Sequence, residues 1–182
     1  LLRGSGRVGL GAMRARTRHL LRPLLDVSRA DVLAYLAAHG LEWREDPSNQ
    51  DLRFTRNRVR HELVPYLASR FNPRVRETLA RSAGLLASEA DVLAREGGVL
   101  YERARACVVV DEPSLARDVL RAAPPAVARL ALRRALEESG GLRNVTATHV
   151  ERLLRLASTP GSSGRRLPLP GAREALVRFD RL

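Results

Sequence analysis

Residues 46–67 read DPSNQDLRFTRNRVRHELVPYL: acids and amides first, then four arginines, then a run fit for a core. On a helix starting near Thr55, Arg56 and Arg60 stand one turn apart, at the border of a Val59/Leu63/Leu67 stripe. Asn57 is turned about 100° away, on the side shared with Val64. An arginine beside a buried face needs an anion. Asp46 or Asp51 in the preceding turn could supply it, and so could a substrate phosphate; the residues alone leave both open. Glu45, Asp46 and Asp51 could also form a general acid/base pair, although carboxylates so placed ordinarily pair with nearby arginines.

Other motifs carry less. GSGRVG, residues 4–9, matches G-x-G-x-x-G but lacks the preceding strand and following helix of a dinucleotide site. SGGLRN, residues 139–144, superficially resembles the SGGxDS phosphate loop, yet it follows a helix and has Arg143 and Asn144 where Asp and Ser are needed. It reads as a helix C-cap and turn. His19, His39, His61 and His149 are scattered with no metal-ligand spacing, so no metal site is expected. Cys107 stands alone before three valines, which reads as a small core residue in a reducing compartment.

The elements that would position these groups are mostly helical. Residues 1–18 read as a Gly- and Arg-rich loop, and HLLRPLL, 19–25, as an edge or terminal strand. Ser28 and Asp31 open a helix with Val32, Leu33, Leu36 and Ala37 on one face, closed by Gly40. LEW, 41–43, is a candidate short strand. The helix over 55–68 carries Val59, Leu63, Tyr66 and Leu67 as its stripe, and Pro65 should kink or end it. Asn72-Pro73 caps a long helix with leucine at 79, 86, 93 and 100, a seam that permits a homodimer but equally a bundle core. Gly97-Gly98 should weaken its end. CVVVD is a candidate strand, Ser114 a candidate cap for a helix to about 122, and Pro124-Pro125 and Thr146 open two more helices. STPGSSG reads as a flexible turn, and residues 165–182 as a hairpin around Pro170-Gly171.

Composition narrows the partner. The chain has 182 residues, net charge +12, no lysine and 32 arginines, which favours a polyanion. GC-biased codons would also produce an arginine-only chain, so the charge is the firmer signal. Aromatics make up only 4%, against a base-stacking sheet. No stretch approaches 18 apolar residues and no secretory signal is visible, so a cytoplasmic protein without membrane contact is expected.

LLRGSGRVGLGAM, RPLLDVSRADVLAYL and WREDPSNQDLRFTRNRVRHELVPYL together resemble the tRNA(Ile)-lysidine synthetase family in order and spacing. The resemblance is close to about residue 67 and looser over 72–182. It implies a fold that is mainly α with small β elements: over 1–69 the distal edge of an α/β nucleotide-hydrolase-like domain, over 70–182 a helical bundle domain that holds tRNA and ends in a short β-hairpin. It implies a ligase that uses ATP and Mg²⁺ to adenylate C2 of the wobble cytidine of a CAU-anticodon tRNA(Ile). Free L-lysine then displaces AMP. By position, Arg3, Gly4, Ser5 and Gly6 match the family's cleft-bordering RGSG element. Asp46, Ser48 and Asn49 match its D-x-SN turn, and Arg56, Asn57 and Arg60 its RN-x-x-R helix start.

The family's SGGxDS loop and its lysine-facing acidic motif would lie upstream of residue 1. The expectation is therefore a fragment that supplies cleft wall and tRNA binding and is inactive alone, with no catalytic residue assigned in it. The alternative is a stand-alone basic helical module that binds RNA or DNA without catalysis.

Overall fold

The computed structural model describes residues 7–11, 13–17, 19–106 and 114–182. Cys107 and the CVVVD segment lie outside them. The chain is mainly helical with one small antiparallel hairpin, and it divides into two compact units, Leu1–Ser88 and Glu89–Leu182.

In the first unit a single helical turn, α1 (Arg7–Leu10), precedes Gly11, which is buried. A Cβ there would come within 2.8 Å of the Ala87 backbone, so this glycine is set by a close approach. The strand expected over 19–25 does not form. Arg16 and Leu21 make one isolated antiparallel bridge, closed by Thr17 N–H to Leu20 O (2.8 Å) and Arg22 N–H to Ala15 O (2.7 Å). Pro23 brings no donor to extend it, and the chain turns instead. Helix α2 (Arg29–Ala38) has the expected N-terminus, a capping box in which Ser28 and Asp31 satisfy each other's amides. Gly40 leaves it at φ +61. Residues 41–46 follow without a strand.

A 3-10 turn (Pro47–Gln50) leads into a helix made of three segments: α3 (Thr55–Arg58), a π-helical turn (Val59–Leu63) and α4 (Val64–Arg70). Pro65 neither ends this helix nor stands in a regular α ladder. It has no N–H for the His61 carbonyl, and just before it the Val64 N–H reaches back five residues to Val59 O. Tyr66, expected in the stripe, is 56% exposed; Val59, Leu63 and Leu67 are half-buried.

Helix α5 (Val75–Ala106) starts two residues after Pro73. Asn72 builds the turn before it, accepting the Arg74 N–H on its Oδ1 (2.9 Å). The leucine seam is only partly used: Leu79 is 42% exposed and Leu100 is buried. What α5 buries is Ala90, Gly97, Leu100, Tyr101 and Ala104, a face on which small residues at 90, 97 and 104, and not the leucines, keep the spacing of seven. Gly97 sits here because a Cβ would overlap the Leu130 side chain, and the Gly97-Gly98 pair does not interrupt the helix.

The second unit packs the end of α5 with α6 (Arg117–Ala122), α7 (Pro125–Glu138), α8 (Ala147–Ser158) and the hairpin β1 (Arg166–Leu169) with β2 (Arg173–Leu176). The strands pair Arg166 with Leu176 and Leu169 with Arg173. Leu120, Ala128, Leu132, Leu136, Leu153 and Ala157 form the centre of its core. Ser114 does not cap α6; Ala116 holds that position, and the Leu115 and Leu182 backbones pair instead. STPGSSG is not a loose turn. Ser162 is fully buried and accepts a hydrogen bond from Arg117, itself 6% exposed. Among the described residues that guanidinium meets no carboxylate. It donates to the carbonyls of Ala157 (3.0 Å) and Thr159 (2.7 Å) at the C-terminal end of α8, and to Phe179 O (2.7 Å).

Candidate functional site

Asp46 starts the 3-10 turn. Its Oδ1 accepts the Ser48 N–H at 2.8 Å, and Pro47, which has no N–H, takes the first position. That amide bond, then the Ser48 hydroxyl, hold the Asp46 carboxyl below its ordinary value, and the Arg56 guanidinium adds to the effect. Asp51 ends the turn. Both its oxygens are gripped by Arg53, at 2.7–3.0 Å, which lowers the carboxyl in turn. Arg53 is 89% exposed, so this pair is a surface fork rather than a buried strut.

The residue that ties turn to helix is Asn57. It is 3% exposed, and its Nδ2 donates to Ser48 O and to Asp51 O, both at 2.8 Å. One amide thus gives a second donor to two turn carbonyls, which also accept the Asp51 N–H and the Phe54 N–H (both 3.2 Å). Four residues on, and so on the same helical face, His61 brings Nε2 to 3.0 Å from Asn49 O. A carbonyl only accepts, so this ring nitrogen carries the hydrogen.

Arg56 and Arg60 play neither part. Both are exposed. The Arg56 guanidinium lies 5.5 Å from the centre of the Phe54 ring and within electrostatic reach of Asp46. Among the described residues neither arginine has a hydrogen-bonded carboxylate. Among the described residues the close ion pair that the sequence offered them is therefore not made, although Arg56 stays within electrostatic reach of Asp46. Asp46, Ser48, Asn49, Arg56, Asn57 and Arg60 come together in one local structure. Arg3, Gly4, Ser5 and Gly6 lie outside the described residues. Among the described residues no group of three His, Cys, Asp or Glu could hold a metal ion.

Sequence reasoning named Asn57 only as a motif position and passed over His61. Their i, i+4 spacing behind an Asx-Pro turn was the available signal.

The positive charge is unevenly distributed. Residues 115–182 hold thirteen arginines against six acids, whereas 70–114 hold seven of each. Arg117 is consumed by carbonyls, and so is Arg173, which donates to Pro170, Leu136 and Gly141. Arg121, Arg133, Arg143, Arg152, Arg155 and Arg165 are exposed and have no carboxylate partner among the described residues. The second unit also contains a cleft of about 640 Å³ with Leu132, Leu136, Leu153 and Leu169 in its lining; none of the site residues above lines it.

Residues 1–67 match the profile of the PP-loop domain, and residues 115–181 match that of the TilS substrate binding domain. The chain is thus a PP-loop protein carrying a substrate-binding domain. It is 39% identical over 170 residues to the tRNA(Ile)-lysidine synthase of Solibacter usitatus, covering 90% of this chain and 38% of that protein. With the protein of the same name from Geobacter sulfurreducens it shares 42% identity over 176 residues (93% and 36%), and with that from an Azoarcus species 43% over 175 residues (93% and 37%). The chain belongs to the tRNA(Ile)-lysidine synthase family, and it spans less than two fifths of the length of these relatives.

Proposed function

We propose that this protein takes part in ATP-dependent ligation of lysine to C2 of the wobble cytidine of a CAU-anticodon tRNA(Ile), through an adenylated intermediate. The observation that carries the reading is the pairing, in one chain, of a PP-loop segment with a TilS substrate-binding segment, at about 40% identity to lysidine synthases over nine tenths of its residues.

In this reading residues 1–69 are the distal part of the catalytic domain and 70–182 the tRNA-binding domain. Arg3, Gly4, Ser5 and Gly6 border the cleft with the 46–49 turn. Arg56 and Arg60, exposed and one turn apart, suit a phosphate of ATP or of tRNA. The reading includes Mg²⁺ beside ATP; among the described residues no group of three His, Cys, Asp or Glu could hold it. The unpaired arginines of 115–182 supply salt-dependent contacts to the tRNA backbone, with little sequence information of their own. In this reading the protein works on tRNA in the cytoplasm; no described helix is long and apolar enough to cross a membrane. Leu79 on α5 stays open to a homodimer contact.

The test is transfer of radiolabelled lysine to a CAU-anticodon tRNA(Ile) by the protein made from its complete reading frame, with and without ATP. Incorporation that needs ATP is expected. None in either condition sinks the reading.

A further inference from the structure

The 46–51 turn presents its carbonyls to the helix behind it. Asn57 takes those of Ser48 and Asp51, His61 takes that of Asn49, and the Asn49 N–H closes the turn onto Asp46 O at 3.0 Å. With the backbone so held, the Ser48 hydroxyl bonds the Asp46 carboxyl, and the Asn49 side chain has no hydrogen-bond partner among the described residues. The two clamps differ in kind. Asn57 is buried and makes two hydrogen bonds, so its loss removes both bonds from the packed side of the turn and damages the fold. His61 is exposed, so water can replace its bond without unfolding anything. Its loss frees only the Asn49 peptide plane.

We propose that His61 is a positioning residue: by donating from Nε2 to Asn49 O it fixes the orientation of Ser48 and Asn49 toward the substrate. The inference rests on the reading that the 46–49 turn serves the lysidine synthetase cleft. The unusual step in the helix fits it, since His61 lies inside the π-helical turn, a feature that recurs where a helix is shaped for a site.

The experiment compares wild type, His61→Ala and His61→Gln, each made from the complete reading frame. Three quantities are read: steady-state lysine transfer to tRNA, melting temperature, and amide hydrogen exchange of peptides covering 46–51. Glutamine places an N–H donor at a reach comparable to Nε2. For His61→Ala we expect kcat to fall by about tenfold or more with the KM for tRNA and the melting temperature unchanged, because misplacing a substrate-facing group costs rate without unfolding. Exchange over 46–51 rises in the same variant. His61→Gln returns both rate and exchange to near wild type.

Exchange and rate unchanged in His61→Ala overturn the proposal. So does faster exchange with full activity, which leaves His61 a merely structural contact. A glutamine variant as poor as alanine overturns the Nε2 donor. Wild type with no lysine transfer sinks the functional reading and with it any part for His61 in that reaction, while exchange still reports separately whether the clamp exists.

Discussion

Asn57 and Arg56 are neighbours in the chain with opposite fates, and their substitutions should separate cleanly. Asn57→Ala removes one of two donors from each of two turn carbonyls and should cost about 1–3 kcal/mol, two hydrogen bonds at about 0.5–1.5 each. Arg56→Ala, at an exposed side chain, should stay within about 0.5 kcal/mol of wild type. Denaturant unfolding of both variants measures this, and equal losses would return Arg56 to the role of a strut. The sequence drew attention to the arginine and away from the amide for a physical reason. A cation beside an apolar stripe visibly demands an anion, and its candidate partners are letters in the sequence. The partners of Asn57 are backbone carbonyls, which every residue has and no letter marks. Arg117 and Ser162 were illegible for the same reason.

Elements governed by local chemistry were legible. The Ser28/Asp31 capping box, the proline start of α7, the Thr146 start of α8 and the turn at Pro170-Gly171 all need only neighbours in sequence. Several of the errors came where distant contacts decide. Whether Leu79 or Leu100 is covered depends on what lies opposite α5, and periodicity cannot report that. The glycine pair shows this most sharply, because propensity treats its members alike. Gly98 has open space around a would-be Cβ, so Gly98→Ala should stabilise by about 0.5–1 kcal/mol, as alanine does in a helix interior. Gly97→Ala drives a methyl into Leu130 and should destabilise by about 1–3 kcal/mol through overpacking. Melting temperatures moving in opposite directions are the expected result; two increases would mean that α5 and α7 can move apart at no cost.

For the molecule as a whole, composition pointed to a polyanionic partner, the caps and apolar stripes to a mainly helical chain, and the resemblance to its family. Stability of the second unit should depend on pH through the group around Glu138. Tyr101 donates to Glu138 Oε2 at 2.7 Å and Arg134 to Oε1 at 2.9 Å, with Arg105 at 3.6 Å. The Tyr101 bond, then that of Arg134, hold the Glu138 carboxyl below its ordinary 4.5. Its contribution is complete above 4.5 and is lost as pH falls through the lower folded value. Burial, then Glu138 itself, push the Tyr101 phenol above its ordinary 10.0. That contribution is present below 10.0 and is lost as pH rises through the higher folded value. Unfolding free energy measured across pH should therefore form a plateau with two falling arms. Glu138→Gln should flatten the acid arm and leave much of the alkaline one, since burial is the larger cause of the Tyr101 shift. An acid arm unchanged in that variant would rule Glu138 out as its source.

The Arg117 hook joins the beginning of the second unit's core to its far end. Leu115 exchanges two backbone bonds with Leu182, the Arg117 N–H meets Asp180 O, and the guanidinium reaches Phe179. A ribosome adding roughly 5–20 residues per second makes Arg117 several seconds before those partners exist. During that interval the guanidinium keeps its water, and the helices already made lack the latch that locks them. The substrate-binding domain is therefore finished late and all at once, by the last few residues of the stretch to leave the ribosome.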